Sequence, residues 1–99
     1  MKTIDKDVDL SNLYLKSLPD FLSGILVKGN FSCSDNQLTS LKGSPAEVGG
    51  YFYCSNNKLT SLAGTPAKVH GDFSCGDNPG KFTVEDVRKV CDVKGNVYC

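Results

Sequence analysis

The sequence lacks several features that would each indicate a particular class of protein. It has no tryptophan, one histidine and one methionine in 99 residues, and its formal net charge at neutral pH is zero. A neutral chain lacks the excess positive charge of an electrostatic nucleic-acid binder. No apolar run approaches the ~18 residues that a membrane span needs. The segment from Met1 to Asp7 is charged where a secretory signal would be apolar, so we expect a cytoplasmic protein. From the neutral net charge and the short apolar runs, we expect that it binds neither nucleic acid nor a membrane.

A repeated segment with a period of 21 residues dominates the sequence. Residues 31–41 and 52–62 are identical at eight of eleven positions, a third copy begins at Phe73, and a more divergent copy occupies residues 8–18. Each copy alternates apolar and polar residues, as a half-buried strand does, and then continues with an Asn and a turn. Aligning the copies gives apolar columns, including Ile4, Val27, Val48 and Val69; Val8, Phe31, Phe52 and Phe73; and Leu10, Cys33, Cys54 and Cys75.

Stacking these copies would bury each copy's apolar face against its neighbours. We therefore predict a single domain over residues 1–99. It is expected to be a repeat solenoid of about four rungs, with a parallel sheet on one side and turns on the other. The expected rungs are residues 4–26, 27–47, 48–68 and 69–82.

The last segment, residues 83–99, is predicted to cap the open end of the final rung. Thr83 is followed by Val-Glu-Asp, which is typical of a helix N-terminus. Apolar residues with helical spacing follow, at Val84, Val87, Val90 and Cys91. Residues 97–99 are expected to add a closing strand.

The repeat resembles a known family. Its anchor positions, Val48, Phe52, Cys54, Asn57, Leu59 and Leu62, approximate those of a leucine-rich repeat. The unit G-x-F-x-C-S-x-N-x-L-T-S-L-x-G-x-P and the ending from Phe82 to Tyr98 are similar to those of short leucine-rich-repeat-like proteins of T-even-type tailed phages. This resemblance implies a leucine-rich-repeat-like fold and an accessory protein that binds a bacterial host protein in the infected cytoplasm. Inhibition of an antiviral-defence protein is one form of that role.

Several residues with reactive or polar side chains have a structural explanation. The cysteine column is expected to be buried and apolar, with a disulfide between rungs or a metal site as alternatives. Asn36, Asn57 and Asn78 are expected to bond backbone groups after each strand. His70 has no nucleophile in a recognisable motif and is expected to be a surface residue. We predict no catalytic residue, cofactor or metal; the alternative is a small hydrolase or nuclease with an unrecognised site.

The outward positions of the predicted strands form the candidate partner-binding site. They are Tyr51, Tyr53, Asp7, Asp9, Asn30, Ser32, Asp35, Asn56, Asp72, Ser74 and Asp77. Five of the chain's 11 acidic residues belong to this set, and none of its 11 basic residues does. Tyrosine buries a large area in interfaces at low entropic cost, so we expect this face to bind a protein partner with a basic patch.

Two other interpretations of the face remain open. The acids could serve to keep the sheet soluble while the tyrosines follow strand propensity. Alternatively, the chain is a structural or assembly element that associates through its terminal strand or its cap. The pattern predicts no particular oligomeric state.

Overall fold

The computed structural model describes residues 2–99, which form ten short strands, one 3-10 turn and one α-helix. Strands β1 to β10 are, in chain order, Thr3–Ile4, Val8–Asp9, Leu26–Val27, Phe31–Ser32, Glu47–Val48, Phe52–Tyr53, Lys68–Val69, Phe73–Ser74, Asp92–Val93 and Val97–Tyr98. The 3-10 turn is Asp20–Leu22, and helix α1 is Val84–Val90. No helix within residues 2–99 is long and apolar enough to cross a membrane.

The strands pair in parallel to form two sheets. The first sheet has the order β1-β3-β5-β7-β9, and the second has the order β2-β4-β6-β8-β10. Each copy of the repeat thus supplies one strand to each sheet. The described chain is a small α/β domain with two five-stranded parallel sheets and one C-terminal helix.

A three-residue bend separates the two strands of each copy, and it contains glycine in every copy but the first. Between β5 and β6 this bend is Gly49-Gly50-Tyr51. At Gly71, in the next copy, an added Cβ would lie 2.8 Å from the backbone carbon of Gly50. Glycine therefore allows adjacent copies to approach this closely. The predicted parallel pairing is confirmed, but the prediction of a single sheet is wrong, because the bend divides each copy into two strands of two residues.

The apolar columns predicted from the alignment are confirmed as the core. Phe31, Phe52 and Phe73 are in register and fully buried, with ring centroids 5.4 and 5.1 Å apart along the stack. Other fully buried core residues are Val27, Val48, Val69, Cys33, Cys54, Leu38, Leu41 and Leu59. Ile4 and Val8 are only partly buried, because β1 and β2 have a paired neighbour on one side only.

Buried asparagines connect the copies through backbone groups, as predicted for Asn36, Asn57 and Asn78. The Nδ2 group of Asn57 donates to three carbonyl oxygens, at 3.0, 3.2 and 3.3 Å, those of Cys33, Cys54 and Ser55. Its Oδ1 accepts from the backbone N–H of Leu38 in the preceding copy at 3.0 Å. Among the described residues, no buried side-chain nitrogen or oxygen lacks a hydrogen-bond partner.

The C-terminal segment contains the predicted helix. Thr83 is its N-cap, and a capping box joins the side chains and backbone N–H groups of Thr83 and Asp86 at 3.0 and 3.1 Å. Val87 is fully buried, but Val84 and Val90 are 45% and 49% exposed, so the predicted four-residue apolar stripe is wrong at those two positions. A helix of only seven residues presents little of its length to the core.

The same segment also supplies the fifth strand of each sheet. The predicted closing strand is confirmed as β10, which pairs with β8, but β9 was not predicted. Helix α1 packs against both strands. The Arg88 guanidinium links the helix to the end of β9 and to the bend between β9 and β10. It donates to the carbonyl oxygens of Val93 at 2.7 Å and Gly95 at 3.0 Å.

One cysteine differs from its main expected role. Cys75 forms a disulfide with Cys99, across a Cα–Cα distance of 4.7 Å. The disulfide follows from the strand register. Phe73 and Ser74 pair with Val97 and Tyr98, so Cys75 and Cys99, which come directly after these strands, lie side by side. Cys33 and Cys54 are buried and free, as expected, and Cys91 is also free.

Candidate partner-binding face

The outward side chains of the second sheet form a continuous row across the domain. Strand alternation places them opposite the buried Phe and Cys positions. The register of the paired strands places four of these side chains next to one another in a row, Asp9, Ser32, Tyr53 and Ser74. The residue before each strand belongs to a second row, because backbone hydrogen bonds join the adjacent copies at Asn30, Tyr51 and Asp72. We call these two rows, with the turn residues that follow them, the outer face.

Two tyrosines are stacked near the middle of the outer face. Tyr51 and Tyr53 have ring centroids 3.9 Å apart and ring planes inclined by 17°. Both residues are half-buried. Each ring limits the movement of the other, so the pair offers a partner a preorganised aromatic surface with two hydroxyl groups.

The row that contains Tyr51 has a structural role at its other positions. The Oδ1 atoms of Asp7 and Asn30 accept hydrogen bonds from the backbone N–H of the next copy, at 2.8 and 2.9 Å. Asp72 does the same, through Oδ1, for the N–H of Asn96 at 2.9 Å. Asp and Asn are suited to this position because each carries an oxygen two bonds from Cβ. Tyr51 cannot form such a bond and is the exception in its row.

The turn residues of the outer face are constrained by backbone conformation. Asp35, Asn56 and Asp77 have φ values of 59°, 55° and 56°. Asn and Asp adopt this left-handed conformation more readily than other non-glycine residues. Asp35 also accepts a hydrogen bond from Asn56 Nδ2 at 2.8 Å. Local geometry is thus sufficient to account for these residue types, although the charges of Asp35 and Asp77 remain exposed.

The remaining polar positions also form local hydrogen bonds. Asp9 accepts hydrogen bonds from the hydroxyl and N–H of Ser11, and these bonds lower the pKa of its carboxyl. The Ser74 hydroxyl pairs with that of Ser55 at 2.8 Å. Ser32 accepts a long hydrogen bond from the Ser34 N–H at 3.4 Å. Within the predicted set, Tyr51 and Tyr53 are the residues for which the fold gives no comparable hydrogen-bonding or conformational explanation.

The carboxylates of the outer face are not neutralised by ion pairs within the described chain. Residues 2–99 contain two ion pairs, Lys28–Asp5 and Lys94–Asp92, and a hydrogen bond between His70 and Glu47, and all three contacts lie beside the first sheet. The five outer-face acids, Asp7, Asp9, Asp35, Asp72 and Asp77, therefore keep their negative charge available to a partner. Such a field accelerates association with a positively charged surface.

Sequence reasoning missed two residues of the outer face, Asn96 and Tyr98. Tyr98 pairs with Ser74 in register and is 54% exposed, and the Asn96 side chain donates to the Tyr98 hydroxyl at 3.2 Å. A signal was present, because Val-Lys-Gly-Asn at residues 93–96 repeats residues 27–30, and an apolar-x-Cys triplet follows both. The segment was thus a further copy of the repeat.

No group of three or more His, Cys, Asp or Glu side chains within residues 2–99 could hold a metal ion. Burial raises the pKa of Cys33 to about 12 and that of Cys91 to about 11. Burial also raises the pKa of Cys54 well above its ordinary value, and the neighbouring Cys33 contributes. A thiol with so high a pKa is a poor nucleophile at neutral pH. His70 is exposed and contacts Glu47 at 2.7 Å.

Comparisons of the chain with protein-family models, with curated proteins and with solved structures find no match. Its function is therefore inferred from its own residues and from the resemblance of its repeat.

Proposed function

We propose that this chain is a non-enzymatic protein-binding module that docks a basic patch of a partner protein on its outer face. One observation carries the proposal. The stacked pair Tyr51 and Tyr53 stands outward on a sheet where the other outward residues predicted for the site have local structural roles. Tyrosines of this kind are frequent energetic centres of interfaces, and carboxylates around them favour a cationic partner.

We propose further that the architecture is a leucine-rich-repeat-like solenoid. The strand order supports this, because each sheet receives its strands in chain order, one from each copy. Identical residues of successive copies are also stacked in register, as with Phe52 and Phe73. Solenoids expose extended surfaces made from equivalent positions of each repeat, and they commonly bind proteins there.

The resemblance to phage leucine-rich-repeat-like proteins supports a bacterial host protein as the partner. In this proposal the chain acts in the cytoplasm of an infected bacterium and modulates its target by occupying a basic surface. An antiviral-defence protein is one such target, and inhibition is then the expected effect.

Affinity capture from a bacterial lysate, followed by mass spectrometry, tests the proposal. The wild-type chain is compared with the double variant Tyr51→Ala/Tyr53→Ala and with Tyr14→Ala. Tyr14 is 82% exposed and lies outside the two outer-face rows, beside the turn residues Asp35 and Asn56, so it controls for the loss of an exposed tyrosine at the edge of the face. A partner retained by the wild type and by Tyr14→Ala, but lost by the double variant, supports the outer face.

Two results would count against the proposal. Equal capture by all three chains would place binding on another surface. Recovery of further copies of this chain alone would favour assembly through the terminal strands β2 and β10, although two-residue edge strands provide few backbone groups for pairing.

A further inference from the structure

The Cys75–Cys99 disulfide forms part of the wall of a hollow beside β8 and β10. This hollow, which we call the disulfide hollow, has a volume of about 310 Å³. Its lining includes Cys75, Cys99, Gly76, Asp77, Lys81 and Phe82. Pockets that bind small molecules have volumes of roughly 300 Å³ and more, so a small molecule has room beside the disulfide.

The hollow owes its shape to two positions at which the copy that begins at Phe73 departs from the two copies before it. It has Gly76 where they have serine, and Gly80 where they have leucine. A Cβ added at Gly76 would have no atom within 4 Å, so this glycine leaves open space directly after Cys75. At Gly80 the ring of Phe82 occupies the place of an added Cβ and forms another part of the wall. The two glycines therefore shape the space beside the disulfide.

The two cysteines of the disulfide differ in exposure. Cys75 is 2% exposed, whereas Cys99 is an exposed residue. A thiolate attacks one sulfur of a disulfide and displaces the other, and access helps to decide which sulfur is attacked. An incoming thiol therefore meets Cys99, and Cys75 is the thiol that leaves.

Charged side chains of both signs stand at the hollow. Lys81 and Asp77 both contribute to its lining, and neither forms an ion pair within residues 2–99. The φ of Lys81 is 49°, which is uncommon for lysine, so the fold holds this residue in place at a conformational cost. A molecule with both a carboxylate and an ammonium group would find a partner for each. Among thiols, this description fits small peptide thiols.

We propose that the disulfide hollow is a thiol–disulfide exchange site for a small peptide thiol of the glutathione class. The thiolate of this molecule attacks the Cys99 sulfur, the bond between the two cysteines breaks, and Cys75 leaves as a thiolate that takes up a proton. The product carries the peptide thiol on Cys99 as a mixed disulfide. A second molecule then attacks the sulfur of the bound one, which releases the oxidised peptide thiol as its disulfide and leaves Cys99 as a thiol. The protein disulfide is thus reduced while two peptide thiols are oxidised.

The exchange reaches the outer face through β10. In the oxidised protein the disulfide joins β8 to β10, which carries Tyr98. After the exchange, β10 is still held by two backbone hydrogen bonds of 2.8 Å, from the N–H groups of Phe73 and Cys75 to the carbonyl oxygens of Asn96 and Tyr98. This edge of the outer face therefore stays paired but loses its covalent link. Disulfides that form in the cytoplasm, the location proposed for this chain, are typically redox-active rather than structural.

Incubation of the oxidised, folded protein with glutathione tests the proposal. The reaction is stopped with acid at intervals, free thiols are alkylated in denaturant, and the peptides are analysed by mass spectrometry. We expect an intermediate with glutathione on Cys99 and an alkyl group on Cys75. Glutathione on Cys75 instead, or a disulfide that reacts only after the protein is unfolded, would overturn the proposal.

Two variants test whether the thiol binds in the hollow. Gly76→Leu places a side chain in the open space after Cys75 and should slow the reaction with glutathione about tenfold. Lys81→Gln should slow it about threefold, because a partner for the carboxylate is lost, but should leave the reaction with uncharged 2-mercaptoethanol unchanged. Lys58→Gln is the matched control, since Lys58 is exposed and lies outside the hollow. Circular dichroism confirms that each variant is folded.

Equal rates for the wild type and both variants would show that the hollow does not bind the thiol. Equal slowing of glutathione and 2-mercaptoethanol by Lys81→Gln would contradict the recognition of a peptide thiol. None of these measurements involves a partner protein, so the exchange site and the proposed function are tested separately.

Discussion

Replacement of Asn57 by alanine tests the hydrogen-bond network that joins the copies. Its three carbonyl partners each keep another donor: Asn36 for Cys33, Asn78 for Cys54 and the Asp35 N–H for Ser55. The Leu38 N–H, in contrast, loses the side-chain oxygen that it bonds at 3.0 Å in a fully buried site. An unpaired buried donor costs about 2 kcal/mol and each of the other bonds about 0.5 kcal/mol, which gives a loss of about 3–4 kcal/mol.

Urea denaturation monitored by circular dichroism measures this loss. The matched control is Asn56→Gly at the adjacent position, where φ is 55° and the side chain is exposed. Glycine accepts that conformation, so we expect the control to lower the free energy of unfolding by less than about 1 kcal/mol. If Asn57→Ala costs no more than this control, the asparagine network does not stabilise the stack and the reasoning is wrong.

Three further predictions concern the C-terminal segment and the thiols. Cys99→Ser should lower the free energy of unfolding by about 3 kcal/mol in oxidising buffer and leave it unchanged with reductant, because the disulfide closes a loop over a separation of 24 residues; equal stability in oxidising buffer would contradict this. Alkylation of the native, reduced protein should modify the exposed Cys99 well before the buried Cys54, whose pKa is raised; mass spectrometry decides the order, and rapid modification of Cys54 would show that the core opens. Hydrogen bonds from Thr83 hold the pKa of Asp86 below its ordinary value of 3.8, so the helix should keep its full stability above that pH and lose it as the pH falls through the lowered pKa; helix amide shifts measure this loss, and Asp86→Asn should remove the pH dependence.

The core was predictable because identical residues recur at a constant spacing. Phe31, Phe52 and Phe73 show at once which residues stack, and the alternation around them shows which side faces inward. The division into two sheets was harder to predict. The strands of the first sheet have two residues each, too few for any period to be visible, and the bend at Gly49-Gly50 becomes evident only from the paired backbone.

The face that the candidate residues share was predictable, but the separate structural roles of these residues were not. Charge alone does not distinguish Asp72, which bonds the backbone of the next copy, from an acid that serves only a partner. The positive φ of Asp35 likewise cannot be read from composition. The fifth copy was missed because helix α1 is inserted between β8 and β9 and changes the spacing, which concealed Tyr98.

Titration calorimetry of the captured partner with the wild-type chain and with Tyr51→Ala and Tyr53→Ala tests the proposed binding face most directly. Each substitution is expected to weaken binding by about 1–3 kcal/mol, because each removes half of a stacked, outward aromatic pair. Added salt should weaken binding of the wild-type chain further, since the unpaired carboxylates attract a cationic surface. If the double variant stays folded and binds its partner with unchanged affinity, the outer face is not the binding site.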